Sequence, residues 1–379
     1  MKILKTNSHK SYFSSMQFSD IPKHRLLNQK IAESNLSSPE EVVSYMAAMQ
    51  AQEYAMAKWA IGLRLPNSKD ATIEEAFNKG EILRTHILRP TWHFVAPKDI
   101  RWILKISAPR VHAINAFMMR KMELDTQIYH RSNDIITKAL EGNKQLTRTE
   151  LNQELQRNKI KSNGISLSLL MMHAELEGLI CSSARKGKQF TYALLDERIP
   201  ETKTLTEDEA LAELTQRYFR SRGPATLQDF VTWSGLTVTS ARKGLNSVKE
   251  NFNFEILNEK EYIFHQQELK VLDKLQTSFL MPDYDEYGIG YKDRSAILEP
   301  KVEKPINPRD NPIFNRMIVV DGKIIGSWYR TITGDKLVIE TRPFNGFSKT
   351  DKIKIKQAAE HFAHFLGISD QNLILSNLY

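Results

Sequence analysis

Apolar residues recur every three to four positions over much of the chain, broken by short strand-like runs, and beyond about Leu280 the strand-like runs dominate. Ser38-Pro39-Glu40-Glu41 reads as a capping box with proline in the first helical turn. It opens an apolar-periodic stretch through Val42, Val43, Met46 and Met49, and helical pattern resumes from Tyr54 to Leu63. Ile73 to Phe77 predicts a short helix ended by Gly80. Ile82 to Leu88 and Thr91 to Val95 predict two strands joined around Arg89-Pro90, and Pro97 begins another helix.

The same order returns twice. Thr147-Arg148-Thr149-Glu150 is a second capping-box pattern and opens a helix to about Gln156. Asn163-Gly164 turns the chain, Ile165 to Leu176 is helical, and Leu179 to Ser183 and Phe190 to Leu195 form a hairpin with a basic tip, Ala184 to Lys188. Helix, turn, helix and basic hairpin is the order of a winged helix. Further on, Leu211 to Phe219 is helical and Gly223-Pro224 breaks it. Thr226 to Trp233 and Ser240 to Val248 are helices around Ser234-Gly235, and Phe254 to Leu257 with Tyr262 to His265 form a short hairpin. Beyond Leu280 the runs Met281 to Tyr287, Met317 to Val320, Lys323 to Arg330 and Lys336 to Thr341 read as strands. Asp321-Gly322 marks a hairpin turn, and Lys352 to Leu366 is a closing helix.

Length agrees with this parsing. At roughly 100–200 residues per domain, 379 residues allow two to four domains. The pattern divides the chain into a flexible arm (1–20), three winged-helix units (21–135, 136–203 and 204–280) and a small barrel-like β-domain (281–379), an α+β architecture. The single cysteine, Cys181, excludes a disulfide framework, a multi-Cys zinc site and a Cys-ligated iron–sulfur cluster, and points to a reducing cytoplasm. No apolar run reaches the roughly 18 residues of a membrane span. The first twenty residues lack the apolar stretch of a secretory signal.

Charge changes the picture more. There are 53 Lys and Arg against 45 Asp and Glu, a net +8. Between Arg84 and Lys121 stand eight basic residues and one acid, Asp99, a local balance of +7. Trp92, Trp102, His86, His93 and His112 are interleaved with them. A basic stripe with aromatics suits a phosphate-tracking surface, and equally a solvated helix face over core tryptophans.

Familiar site signatures are missing: no Walker loop, no GxGxxG before a helix, no HExxH, no clustered His/Cys set and no GxSxG. His173, on an apolar helix face, reads as packed. What stands out is Gln50-Ala51-Gln52. On a helix the two amides would point about 200° apart, so they face one point only if the backbone is extended or broken. Alone, the pair reads as two surface amides.

The stretch from Arg25-Leu26-Leu27 through Gln50-Ala51-Gln52 to Leu63-Arg64 resembles the N-terminal domain of the bacterial winged-helix DNA glycosylases, the AlkZ/YcaQ-like family. The likeness continues through Leu88-Arg89-Pro90-Thr91-Trp92-His93-Phe94-Val95 and Thr226-Leu227-Gln228-Asp229-Phe230-Val231-Thr232-Trp233-Ser234-Gly235-Leu236. Asp285-Glu286-Tyr287 and Val320-Asp321-Gly322-Lys323-Ile324-Ile325-Gly326-Ser327-Trp328 complete it, in family order over roughly residues 25 to 375. The resemblance implies three tandem winged helices and a β-barrel forming a C-shaped clamp on double-stranded DNA. It also implies a Gln-apolar-Gln catalytic signature at Gln50 and Gln52, of the branch acting on bulky alkyl lesions and interstrand cross-links.

On that basis a monomeric, monofunctional DNA repair glycosylase for cationic N7- or N3-alkyl purines is expected, without metal or cofactor. The alternative is a non-catalytic multi-winged-helix transcription regulator. The expected phosphate contacts are Arg84, Arg89, Lys98 and Arg101 on the stripe, with Arg185, Lys186 and Lys188 on the second wing. Thr91 and His93, two apart on one strand, share a face. His93 could touch the lesion strand or complete a core hydrogen bond.

Overall fold

The computed structural model describes residues 16–199, 202, 204–265, 278–298, 311 and 313–378. Most of the expected arm lies outside them. Its last residues are not free. Met16 is buried beside Ile21, Tyr262, Phe264 and Ala296, and Phe18–Asp20 forms a single 3-10 turn leading into the helix Ile21–Asn28.

One local plan recurs three times: a helix, a short strand, two helices and a hairpin. In the first copy the short strand is Met49–Gln50. It follows the helix Pro39–Tyr45 and precedes the helices Tyr54–Gly62 and Asp70–Lys79 and the hairpin Leu83–His86 with Trp92–Val95. The three strands form one antiparallel sheet, with Trp92–Val95 in the middle. In the second copy Leu146–Thr147 precedes Arg148–Arg157 and Gly164–Leu176. It pairs with Gln189–Leu194, whose other neighbour is Ile180–Lys186. In the third copy the short strand shrinks to one bridge, Ala225 with Ile263, before Leu227–Ser234, Val238–Val248 and the hairpin Asn253–Leu257 with Lys260–Phe264.

Local chemistry explains the boundaries. Thr147 and Thr226 each accept from the backbone N–H three residues on, and Glu150 and Asp229 return the bond. Gly80 and Gly235 end their helices in the left-handed conformation. The expected box at Ser38 is offset. Ser38 caps Glu41, but the Glu41 carboxylate accepts from the amide and hydroxyl of Ser37 instead.

Beyond residue 278 a five-stranded sheet runs in the order Leu373–Ser376, Lys336–Pro343, Lys323–Thr333, Met317–Val320, Ser278–Leu280. It curls into a half-barrel and stays open among the described residues, with the helix Lys349–Leu366 packed on it. The expected strand over Met281 to Tyr287 is absent. Ser278–Leu280 is the strand, and Glu286–Ile289 is a helical turn capped by the Asp285 carboxylate. The alternation there misleads because Asp285 and Glu286 are themselves buried, each against an arginine.

The half-barrel and the first copy share one core. Trp59, Phe77 and Phe94 join Trp328, Ile339, Phe362 and Phe365 in it. The Trp59 ring lies 5.0 Å from Phe362 and 4.9 Å from Phe365. The indole N–H of Trp59 donates to the Leu280 carbonyl at 2.7 Å and that of Trp328 to Met281 at 2.8 Å. The C-terminal part of the chain therefore supports the segment that carries the glutamines.

Candidate active site

Gln50 lies at the end of a short strand and Gln52 in the bend that follows, so the tripeptide is not helical. The helix Pro39–Tyr45 stops because Ala47 turns left-handed, at φ 61°. Met49 and Gln50 then pair with Phe94 and His93, and the Ala51 N–H donates to the Trp92 carbonyl at 2.8 Å. Gln50 is buried and Gln52 exposed. The Gln50 Oε1 accepts the Gln52 backbone N–H at 2.6 Å, closing a small ring that fixes the two residues relative to each other. Glu53 is exposed at the start of Tyr54–Gly62 and its side chain caps nothing there.

Beneath this strand lies a buried brace that sequence reasoning missed. The Gln50 backbone N–H donates to Glu286 Oε1 at 3.0 Å. Glu286 Oε2 accepts from Arg222 Nε at 3.0 Å and Nη2 at 2.7 Å, and from the Trp233 indole N–H at 2.8 Å. Arg222 also donates to the carbonyls of Met46 and Ala48, on either side of the left-handed Ala47. Burial raises the Glu286 pKa, but Arg222, the Gln50 amide and Arg89 outweigh it and hold the carboxyl below its usual range. Next door, Asp285 takes Arg64 in a two-pronged pair at 2.9 and 3.0 Å, and Arg64 reaches Gln29 at 2.7 Å. The signal in the sequence was Asp285-Glu286 set among apolar residues, a placement that demands buried cationic partners.

The hairpin strand opposite Gln50 carries the other candidates. His93 is fully buried, with Nδ1 2.9 Å from the Thr91 carbonyl and Nε2 3.5 Å from Arg89. Burial first, then the Arg89 charge, pushes its pKa down to about 3, so the ring is neutral at physiological pH. His93 is thus buried with a backbone partner, directly across the sheet from Gln50. Close by, Arg89 Nε, Thr91 Oγ1 and Trp92 Nε1 are shielded from water and have no hydrogen-bond partner among the described residues. Such groups are costly unless something else satisfies them. Leu88 is left-handed at φ 62°, and a Cβ on Gly235 would sit 2.5 Å from its carbonyl oxygen. Only glycine fits that contact between the third copy and the first hairpin.

The basic stripe does not form one exposed face. Arg84 is buried, its Nε donating to the Ala51 carbonyl at 3.0 Å and its guanidinium 4.4 Å from the rings of both Trp92 and Phe190. Burial lowers its pKa to about 10. It therefore braces the glutamine segment from inside. Arg89 is half-buried and Arg101 pairs with Asp196 at 2.6 Å. Lys98 is exposed, 3.7 Å from Glu40. On the second hairpin Arg185 leans toward Glu74 at 3.6 Å and the Tyr54 ring at 5.1 Å, and Lys186 reaches Glu150 at 3.2 Å. Lys188 sits at the exposed tip.

Comparison with known proteins places the chain in a family. The family model described as "DNA glycosylase AlkZ-like" matches residues 43–365. An interstrand DNA cross-link repair glycosylase of Streptomyces sahachiroi is 22% identical over 363 residues, covering 91% of this chain and 95% of that protein. The solved structure of the Streptomyces sahachiroi DNA glycosylase AlkZ aligns with a TM-score of 0.75 at 18% identity, covering 96% of this chain and 100% of that one. With the family match spanning most of its length, the chain belongs to the AlkZ-like DNA glycosylase family and is a DNA glycosylase.

Proposed function

We propose that the protein is a monofunctional DNA repair glycosylase that hydrolyses the N-glycosidic bond of cationic N7- or N3-alkyl purines, bulky adducts and interstrand cross-links included. It acts as a cytoplasmic monomer on double-stranded DNA. In this reading the three recurring units are winged helices (21–135, 136–203 and 204–280) that form a C-shaped clamp with the β-domain (281–379). Gln50 and Gln52 are the catalytic residues, and Thr91, Arg89, Lys98 and Lys188 contact DNA.

The observation that carries the reading is the non-helical Gln50-Ala51-Gln52 segment, strand into bend, held from below by Glu286 and from the side by Arg84. An alkylated purine already bears positive charge, so it leaves without protonation by an enzyme acid. The bond to C1′ breaks, its electron pair neutralises the departing base, and water adds to C1′ and gives up one proton to the solvent. A neutral amide is a poor base but orients a water by hydrogen bonding, and its dipole favours the positive charge growing on the sugar. The brace fixes the backbone that carries both glutamines, and the Gln52 N–H holds the Gln50 amide, which lowers the cost of orientation at the moment of reaction. The lysine next in sequence, Lys58, is engaged by Asp70 and Glu74, each at 2.7 Å. This supports hydrolysis over Schiff-base chemistry.

The test is base release from an N7-alkylguanine duplex. Gln50→Ala and Gln52→Ala should each lower release about 10²-fold or more with DNA binding retained. Wild type that binds DNA but releases no base from a panel of alkyl adducts and cross-links would overturn the assigned substrate class. Robust release of uracil, a neutral leaving group, would sink the two-glutamine chemistry.

A further inference from the structure

His112, His173 and Glu177 converge although they are spread over 66 positions of the chain, counted from 112 to 177 inclusive. His112 projects from the helix Ile100–Lys121. His173 lies on Gly164–Leu176, and Glu177 caps that helix. One ligand atom from each falls within 4.8 Å of the other two. His112 Nε2 is 2.9 Å and His173 Nε2 3.9 Å from Glu177 Oε1, and the two rings are 5.1 Å apart.

We propose that these three side chains form a divalent transition-metal site, of the zinc class, that clips the first recurring unit to the second. It is independent of the base-release chemistry. Ligand atoms bound tetrahedrally at about 2.0–2.2 Å stand about 3.3–3.5 Å from one another, so shifts of around half an ångström seat an ion. Two imidazoles and one carboxylate suit zinc and its neighbours better than magnesium or calcium, which prefer oxygen.

Two details point to a ligand rather than a plain ion pair. His112 Nε2 is shielded from solvent and, despite its closeness to Glu177, makes no aligned hydrogen bond. An ion between the two groups uses that lone pair directly. His173 Nδ1 lies 3.4 Å from the Asn133 side-chain amide, whose Oδ1 is buried without a partner. With that amide turned over, Oδ1 accepts from Nδ1–H and leaves Nε2 bare, the supporting arrangement that metal-bound histidines favour. The ring is held in place by stacking on Tyr129, at 4.1 Å between centroids and 16° between planes. His112 and Glu177 also line a groove of about 400 Å³, through which water completes the coordination.

The test uses the full chain without an affinity tag, stripped with chelator and titrated with zinc and with cobalt. Wild type should bind one zinc per chain, give the visible absorption of four-coordinate cobalt, and melt at a higher temperature with zinc present. His112→Gln and Glu177→Gln should each weaken binding at least about tenfold and abolish the zinc-dependent rise in melting temperature. Glu177 is 47% exposed in its side chain, so its variant keeps the fold, checked by circular dichroism. His265→Gln, at an exposed histidine elsewhere, should bind like wild type. Wild type that binds no zinc, site variants that bind as tightly as wild type, or loss of binding in His265→Gln would each overturn the proposal.

Discussion

His93 shows how far a residue's surroundings can depart from its sequence context. It stands among basic residues and aromatics, where a substrate-touching role is natural, yet it is sealed inside with its pKa at about 3. The unfolded chain binds a proton near pH 6.5, and the folded chain does so only near 3. Stability is therefore unaffected by this group above pH 6.5 and falls steadily as pH drops from 6.5 toward 3. His93→Gln should flatten part of that acid limb, measured as melting temperature between pH 7 and pH 4. An unchanged slope would mean that other buried histidines, such as His24, carry it. Arg84 departs in the same way. The sequence placed it on a phosphate stripe, and burial against Phe190 and the Ala51 carbonyl makes it a brace.

At the scale of elements, the first recurring unit breaks a rule the other two keep. In the second and third copies the short strand runs into a threonine that caps the next helix, Thr147 and Thr226. In the first, the corresponding segment is Gln50-Ala51-Gln52-Glu53, and the helix Tyr54–Gly62 starts with no side-chain cap. Forgoing such a cap costs about 1 kcal/mol. Local stability given up in one of three otherwise parallel places is what a site under functional demand looks like. The Arg222–Glu286 pair offsets the loss by fixing the strand from below. Glu286→Gln keeps the shape but strands a buried arginine, and should lower stability by about 3–5 kcal/mol and base release with it. Denaturant unfolding beside the release assay checks this. A variant as stable as wild type would show that the Arg222–Glu286 pair does not brace the strand.

Over the whole molecule, the net +8 and the exposed Lys98 and Lys188 bear on DNA affinity. Lys188→Glu should weaken duplex binding and reduce the slope of log affinity against log salt by about 0.9 if one phosphate contact is lost. A fluorescence-anisotropy salt series reads both, and an unchanged slope would put the second hairpin off the DNA. The recurring plan, the helix caps and most hairpins were legible in the sequence, because caps and turns are settled by residues three or four apart. The two glutamines were legible as an oddity, and as a site through family likeness. The last strand, Leu373–Ser376, was not foreseen, since its parallel pairing with Lys336–Pro343 involves residues far apart in sequence. Nor was the helical turn at Glu286, whose polarity pattern mimics a strand because both acids are buried.

By itself, then, the sequence determined the order of elements, their ends and the unusual tripeptide, all products of short-range sterics and hydrogen bonding. Tertiary structure decided which charges are exposed and which are interior. It joined the C-terminal sheet to the first unit in one core, and brought Glu286 and Arg222 under Gln50 and Glu177 against His112. Those contacts link residues dozens to hundreds of positions apart. Only the burial of apolar surface between units, which no local pattern encodes, brings them together.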